Sequence, residues 1–219
     1  MIKIQDDQDK NWYGESDSVR FGAIPSVTPL LNDGLGLRYL KQVHGNQVID
    51  DAHFKQCGQV ADGLVSEEKK LALVIRTADC IPLHIWDHHR IAMIHAGWRS
   101  IRAGIISRSV QDFKTCETKT IIGPSIFSNH YEVDSDLYEP WLEDWPELER
   151  FLSPSSPGTT KRNLDLRNLA VYQLVQAGVA SAHIHRIDRC TYASNLPSYR
   201  REGPGARRIY NYIYRCESQ

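Results

Sequence analysis

Three short runs of mainly apolar residues dominate the middle of the chain. They span residues 71–76, 81–87 and 90–96. Runs of this length are typical of strands that are buried on both faces of a sheet. Only His88 and His89 separate the second run from the third. These two runs therefore predict a tight antiparallel hairpin.

Apolar residues that recur at a spacing of three and four positions predict helices elsewhere. One helix is expected over residues 100–113 and a second over 164–178. In the second segment Asp165 suits the N-terminal cap, and Gly178 suits the position just after the C-terminus.

The remaining patterned segments predict two strands and a broken helix. Residues 119–123 are apolar, and residues 207–215 alternate in character, so both read as strands. Residues 133–152 are acidic and helix-prone. Pro140 and Pro146 are expected to break that helix into pieces, because proline removes a backbone donor and its ring clashes with the preceding turn.

Length and composition are those of an ordinary globular protein. The chain has 219 residues, of which 41% are hydrophobic and 24% charged, enough to bury a sizeable core. Strands mixed with helices define the α/β class. We expect a single domain over residues 1–219, in which mixed β-sheets are flanked by helices.

The charge and the cysteine content exclude several classes of function. A net charge of −1 gives no basic field for nucleic acid or for an anionic membrane. No apolar run approaches the ~20 residues of a membrane helix, and the N-terminal stretch lacks a signal-peptide pattern. Five cysteines without a secretion signal argue against a disulfide framework. We expect a cytoplasmic monomer that acts on small molecules, with neither nucleic acid nor membrane as a partner.

The predicted hairpin brings a thiol close to an imidazole. With a two-residue turn, Pro82 faces His95 on the neighbouring strand. Cys80 lies on the same face as Pro82, because side chains alternate with a period of two. Cys80 and His95 then become diagonal neighbours, about 7–8 Å apart between Cα atoms. A register slip of one residue would separate them onto opposite faces.

A thiolate and an imidazole are ligands that zinc prefers, and catalytic zinc sites use three protein ligands and keep the fourth position for water. His44 is a candidate third ligand, because Gly45 beside it suggests a turn with close backbone approach. His84 is a rival, since it shares the predicted face of Cys80. Arg99 stands at the start of the next predicted helix, where free N–H groups favour an anion.

A family resemblance covers most of the chain, in order from about residue 41 to residue 214. The segments KQVHG, ADGLVSE, TADCIPLHIWD and IAMIHAGWRS, followed by IIGPSI, LDL, CTYA and SYRREG, resemble the YfiH family. Its members are variously named multicopper polyphenol oxidase or laccase, purine nucleoside phosphorylase, and peptidoglycan editing factor.

The resemblance implies three zinc ligands, which here are His44, Cys80 and His95, and a single α/β domain. Members similar to this chain cleave purine nucleosides with phosphate and deaminate adenosine, without a redox cofactor. Ser100 stands where the family has glycine, and residues 204–208 read PGARR where it has TGR. The stretch before KQVHG is also shortened. These departures leave the trio intact and the exact substrate open.

Further roles follow from that chemistry. Asp79 and Cys80 are candidate catalytic residues, with Asp79 as a general base or as a residue that orients a metal ligand. Arg99, with Arg76 and Arg200 as further candidates, is expected to hold the phosphate.

Alternative functions use the same residues. His and Cys also bind copper, which by ligand preference outcompetes zinc, so a copper-dependent polyphenol oxidase is one alternative. A multicopper centre commonly uses several HxH pairs, and the nine histidines supply one, at residues 183–185. A hydrolase that edits peptidoglycan precursors is a second alternative. A binding protein with a structural zinc is a third, and it would need a fourth protein ligand.

Overall fold

The computed structural model of the chain describes residues 2–6, 11–16 and 18–217. In chain order the strands are β1 (Lys3–Asp6), β2 (Trp12–Ser16), β3 (Val19–Ile24), β4 (Gly36–Lys41), β5 (Val48–Asp50), β6 (Gln59–Val60), β7 (Gly63–Ser66), β8 (Leu71–Thr77), β9 (Ile81–Trp86), β10 (Ile91–Ala96), β11 (Lys119–Ile122), β12 (Glu132–Val133), β13 (Leu152–Pro154), β14 (Arg162–Leu164), β15 (Ile184–Arg186) and β16 (Ile209–Arg215). The α-helices are α1 (Thr28–Asn32), α2 (Trp98–Arg102), α3 (Ile105–Val110), α4 (Ser135–Asp144), α5 (Leu166–Gln176) and α6 (Tyr199–Glu202). Single turns of 3-10 helix lie at Asp51–His53, Ser128–His130, Ser181–His183 and Gly203–Gly205, and a longer one at Pro146–Phe151.

Among the described residues the strands form three sheets. The first has the order β1-β2-β3-β16-β8-β4-β6, the second β15-β11-β9-β10-β7-β5, and a small third sheet β12-β14-β13. In the first sheet β4 runs parallel to β8, whereas β16 runs antiparallel to it. In the second, β11 is parallel to β15 and antiparallel to β9. The prediction of an α/β fold with mixed sheets is confirmed.

The second sheet is covered on both faces. One face packs against the first sheet through a cluster that includes Trp12, Phe21, Trp86, Met93 and Ile213. The other face packs against helices α2 to α5 through a cluster that includes Leu83, Ile94, Ile106, Trp141 and Leu169. Every residue of β9 and β10 is buried, which explains why these strands read as continuous apolar runs.

The predicted hairpin has the predicted register. Asp87 donates its backbone N–H to the carbonyl of Arg90 at 3.0 Å, which closes the turn at His88 and His89. Pro82 lies opposite His95 on the paired strand. The expectation that Cys80 and His95 share one end of the hairpin is therefore confirmed.

The prediction of one helix over residues 100–113 is wrong. Two short helices, α2 and α3, are separated at Gly104, which has a φ of +84°. A glycine in the left-handed region ends a helix at little steric cost, and its N–H here bonds to the carbonyl of Ile101 at 3.0 Å. The apolar spacing is nevertheless real, because Ile105, Ile106 and Val110 are all buried.

The prediction that Pro140 breaks the acidic helix is also wrong. Helix α4 continues through Pro140, whereas Pro146 does start a separate 3-10 segment. Tyr138 and Trp141 on either side of Pro140 are buried, and this packing offsets the lost backbone hydrogen bond. Arg102 donates to the carbonyl of Pro140 at 3.0 Å.

The prediction of a helix over residues 164–178 is confirmed, although α5 is shorter at both ends. The carboxylate of Asp165 accepts from the N–H of Asn168 at the start of α5. Gly178, with a φ of +95°, follows the helix. Within the described residues none of the helices combines the length and the apolar character required to span a bilayer.

Candidate metal centre and substrate cleft

Three potential metal ligands meet at one end of the two large sheets. The ligand atoms of His44, Cys80 and His95 all lie within 4.8 Å of one another. The imidazole rings of His44 and His95 have centroids 4.7 Å apart. His44 follows β4, Cys80 lies between β8 and β9, and His95 is in β10. The trio predicted from the sequence is thus brought together by the fold.

The parallel pairing of β4 with β8 brings His44 to this place. Parallel strands end at the same edge of a sheet, so the loop after β4 lies beside the loop that carries Cys80. The side chain of Gln42 extends this pairing. Its amide accepts from the N–H of Arg76 and donates to the carbonyl of Arg76, both at 2.8 Å.

One buried carboxylate shapes the His44 loop. Asp62 accepts hydrogen bonds from the backbone N–H groups of Val43, His44 and Gly45, at 3.3, 3.0 and 2.7 Å. His44 has a φ of +59°, a left-handed conformation that is uncommon for a residue with a side chain. The three donors hold the strained turn in place.

The same carboxylate orients the second imidazole. Oδ1 of Asp62 lies 2.8 Å from Nδ1 of His95, and both side chains are buried. The N–H of His95 also donates to the backbone carbonyl of Asp62 at 2.7 Å. With Nδ1 engaged, Nε2 of His95 is left to face the ligand group, which is the usual arrangement around metal-bound histidines.

The environment of the thiol favours its ionised form. Burial alone would raise the pKa of Cys80, but the charge of His95 and hydrogen bonds with His44 and His95 lower this pKa to about 6. Burial would lower the pKa of His95, but the Cys80 thiolate and the Asp62 carboxylate raise it to about 9. The lowered pKa of Cys80 favours its thiolate form, which is the form that binds metals.

Gly97 leaves the space between the ligands open. A Cβ at this position would lie 2.9 Å from Nδ1 of His44 and 3.0 Å from Sγ of Cys80. Its φ of −86° is ordinary for any residue. Glycine is required here by close approach and not by backbone conformation.

The trio opens into a cleft of about 740 Å³, within the usual range for small-molecule sites. Its walls carry the three predicted anion-binding residues, Arg76, Arg99 and Arg200, together with Arg208. Sequence reasoning did not single out Arg208. It lies just before β16, whose pairing with β8 brings it next to the site.

Aromatic rings support two of these arginines. The guanidinium of Arg99 lies 4.3 Å from the ring centroid of Trp98, and that of Arg200 lies 5.2 Å from the ring centroid of Tyr131. Burial and the charge of Cys80 raise the pKa of Tyr131. The cleft therefore offers stacking surfaces, cations and one hydroxyl that keeps its proton.

Asp79 is held from two sides. Oδ1 accepts from the hydroxyl of Thr191 and Oδ2 from the backbone N–H of Arg200, both at 2.6 Å. The residue has a φ of +90°. Both oxygens are engaged by protein donors, which favours the positioning alternative over a general base.

His84, the rival ligand, does not join the trio. It packs with its ring centroid 5.0 Å from that of Trp12, and Nε2 lies 3.4 Å from the carbonyl oxygen of Gly22. Burial lowers its pKa to about 4. His84 does share a face with Cys80, but farther along β9, where that face is covered by the first sheet.

Sequence reasoning also missed Asp62. It belongs to the ADG segment just before β7, and β7 pairs with β10 so that Gly63 faces Ile94. This pairing places Asp62, the residue before Gly63, next to His95, the residue after Ile94. A polar residue directly before an apolar strand was the available signal, but its partner depended on a pairing between distant segments.

Comparison with known proteins shows the family and the fold. Residues 30–215 match a family model described as multi-copper polyphenol oxidoreductase laccase. A purine nucleoside phosphorylase of Bacteroides thetaiotaomicron is 34% identical over 139 residues, which cover 60% of this chain and 51% of that protein. The chain thus matches about half the length of that relative. Purine nucleoside phosphorylase RC0672 of Rickettsia conorii is 33% identical, over 74% of this chain and 69% of that protein.

Two solved structures share the fold. Neisseria meningitidis protein NMB0706 superposes with a TM-score of 0.81 at 22% identity, over 98% of this chain and 99% of that chain. The Bacillus licheniformis protein YfiH superposes with a TM-score of 0.77 at 18% identity, over 93% and 92%.

Proposed function

Because the chain belongs to the YfiH family, we propose that it is a metal-dependent purine nucleoside phosphorylase, as its relatives in Bacteroides and Rickettsia are named. One observation carries the proposal. The trio His44, Cys80 and His95 lines the same cleft as the arginines. Metal ligands and anion-binding side chains therefore face one substrate-sized space.

The donor set fits zinc. Two imidazoles and a thiolate make three protein ligands, and a catalytic zinc site keeps its fourth position for water or substrate. When bound, such an ion supplies Lewis-acid polarisation or activates water. Hydrogen bonds to Asp62 fix the His44 backbone and the His95 ring in position. The lowered pKa of Cys80 favours the thiolate. Copper prefers similar ligands, so metal analysis has to distinguish the two.

In phosphorolysis an oxygen of phosphate forms a bond to C1′ of the ribose while the bond from C1′ to N9 of the purine breaks. Arg99 and Arg200 would hold the phosphate and neutralise its charge. The purine leaves with the bonding electron pair and takes up the proton that the attacking hydrogen phosphate loses. Tyr131, whose pKa is raised by burial, would keep its proton and donate a hydrogen bond to the departing base.

Adenosine deamination is a second proposed activity of the same cleft. Here water replaces the amino group at C6, and ammonia leaves. Three protein ligands with a fourth position for water favour deamination, because zinc deaminases share that arrangement. Asp79 would contribute by positioning Arg200 and the neighbouring Cys80.

The test uses purified protein whose metal content has been quantified. Adenosine is supplied with and without phosphate, and the products are separated by chromatography. We expect adenine and ribose 1-phosphate only with phosphate, and inosine in either condition if deamination also occurs. Cys80→Ala should lose both the metal and the turnover. Cys116→Ala, at an exposed cysteine outside the cleft, is the matched control.

Three results would count against the proposal. Full activity and full metal content in Cys80→Ala would show that Cys80 is not a ligand, and the proposed metal site would be wrong. Phenol oxidation that requires copper would favour the oxidase alternative. Absence of any turnover of purine nucleosides would favour the hydrolase of peptidoglycan precursors.

A further inference from the structure

The cleft holds more positive charge than one phosphate needs. Four arginines line it: Arg76, Arg99, Arg200 and Arg208. Within the described ranges none of them forms an ion pair with a carboxylate, and Asp79, the carboxylate in the lining, is engaged by Thr191 and the Arg200 backbone. The whole chain has a net charge of −1, so the excess of cations is local to the cleft.

The arginines form two pairs on different elements. Arg99 and Arg200 lie on the helices α2 and α6 and pack against aromatic rings. Arg76 lies on β8, opposite Tyr210 of β16. Arg208 directly precedes Ile209, which pairs with Thr77, the residue after Arg76. Arg76 and Arg208 therefore lie at the same end of these two strands, and both line the cleft.

Arg76 and Arg208 have no role in phosphorolysis as described above. The backbone of Arg76 is held by Gln42, but its guanidinium bonds to no residue in the described part of the chain. Among the described residues, Arg208 donates only to the nearby carbonyls of Ala206 and Arg207. Two neighbouring cations in a cleft repel each other unless an anion lies between them.

We propose that Arg76 and Arg208 form a second anion subsite, which binds a phosphate group carried by the substrate itself. The inference rests on the proposed function and narrows its substrate class to nucleosides that bear a phosphate on the sugar, such as adenosine 5′-monophosphate. Such a group carries about −1.5 to −2 charges at neutral pH and matches the planar donors of two arginines. A neutral nucleoside would leave the pair uncompensated.

The test compares the binding of adenosine 5′-monophosphate with that of adenosine. Isothermal titration calorimetry is run on the metal-loaded protein with inorganic sulfate in place of phosphate, so that an anion occupies the pair Arg99 and Arg200 while phosphorolysis is blocked. We expect the monophosphate to bind at least about tenfold more tightly. Arg76→Gln and Arg208→Gln should each reduce this preference by about tenfold, the loss of one charge-assisted contact.

Two further variants make the result specific. Arg76→Lys keeps the charge and loses the two-pronged donor geometry, so it should retain part of the preference. Arg108→Gln, at an exposed arginine of α3 outside the cleft, should leave the preference unchanged. Circular dichroism and thermal unfolding check that each variant is folded.

The outcomes separate the subsite from the enzyme function. Equal binding of the two ligands, or a preference that survives both glutamine variants, overturns the subsite even if adenosine is cleaved. If Arg76→Gln instead weakens the dependence on free phosphate and the monophosphate binds no more tightly than adenosine, the pair serves inorganic phosphate and the subsite is again wrong. A preference that depends on Arg76 and Arg208, without any phosphorolysis, supports the subsite and contradicts the proposed reaction.

Discussion

Oδ1 of Asp62 lies 2.8 Å from Nδ1 of His95, and the same carboxylate accepts three backbone N–H groups of the His44 loop. One buried side chain therefore sets the orientation of one proposed metal ligand and the backbone of another. These two ligands come from different sheets. Asp62 connects these two ligands through its own hydrogen bonds.

Asp62→Asn should weaken zinc binding by about 10–100-fold, the usual effect of losing a group that orients a metal ligand. The amide keeps the volume but turns an NH₂ group toward donors, so at least one of the four contacts is lost. Competition with a chromogenic chelator measures the affinity. Asp112→Asn, at an exposed carboxylate, is the control. Unchanged zinc affinity in Asp62→Asn would show that packing alone holds the histidines.

Gly97→Ala should reduce metal occupancy without unfolding the protein. The added methyl would lie 2.9 Å from His44 and 3.0 Å from Cys80, so the ligands must move apart, while the backbone conformation remains allowed. We expect zinc affinity to fall by about tenfold or more. Gly205→Ala, where the new Cβ would meet nothing within 4 Å, is the control. Equal zinc content in both variants would contradict the proposed position of the ion.

Asp79→Asn should raise the KM for phosphate by roughly tenfold, with a smaller change in kcat. The variant loses the charge-assisted hydrogen bond from the backbone N–H of Arg200 at the start of α6, so Arg200 is displaced. Asparagine tolerates the φ of +90° better than most residues, so the backbone is preserved. Steady-state kinetics at varied phosphate separates the two constants. Thr191→Val, which removes one neutral donor to Asp79, should have a smaller effect in the same direction. A collapse of kcat together with loss of one limb of the pH profile would instead identify Asp79 as a general base.

His84 should make the protein sensitive to acid. Burial lowers its pKa to about 4 in the folded state, from 6.5. Between pH 6.5 and pH 4 the unfolded chain takes up a proton that the folded chain does not, so stability is fully present above pH 6.5 and is lost as the pH falls. The loss amounts to on the order of 3 kcal/mol at pH 4.

His84→Phe keeps an aromatic ring beside Trp12 and removes this titration. Urea unfolding from pH 7 to pH 4 should give a shallower loss of unfolding free energy in the variant than in the parent protein. The difference between the two slopes isolates His84 from other acid-sensitive groups. Parallel slopes would mean that folding does not shift the pKa of His84.

Local patterns in the sequence determined several features correctly. The two-residue turn at His88 and His89 sets the register of β9 and β10, and that register alone places Cys80 beside His95. The caps of α5 were readable because Asp165 and Gly178 act within a few residues of the helix ends. In each case the interacting groups are close in sequence, so short-range geometry is sufficient.

Local patterns misled where a competing effect won. The apolar spacing over residues 100–113 predicts burial equally well for one helix or for two, and Gly104 decides for two. Pro140 is a helix breaker by its backbone chemistry, but the burial of Tyr138 and Trp141 outweighs that cost. Both outcomes depend on tertiary packing that no short window contains.

The positions of Asp62 and Arg208 in the site were decided by the tertiary structure alone. Asp62 reaches His95 through the pairing of β7 with β10, and Arg208 reaches the cleft through the pairing of β16 with β8. The partners in these pairs are 33 and more than 100 residues apart in the chain. The residue types show which side chains are able to bind a metal or an anion. Strand order and register decide which of them meet, because only long-range pairing brings distant segments to the same edge of a sheet.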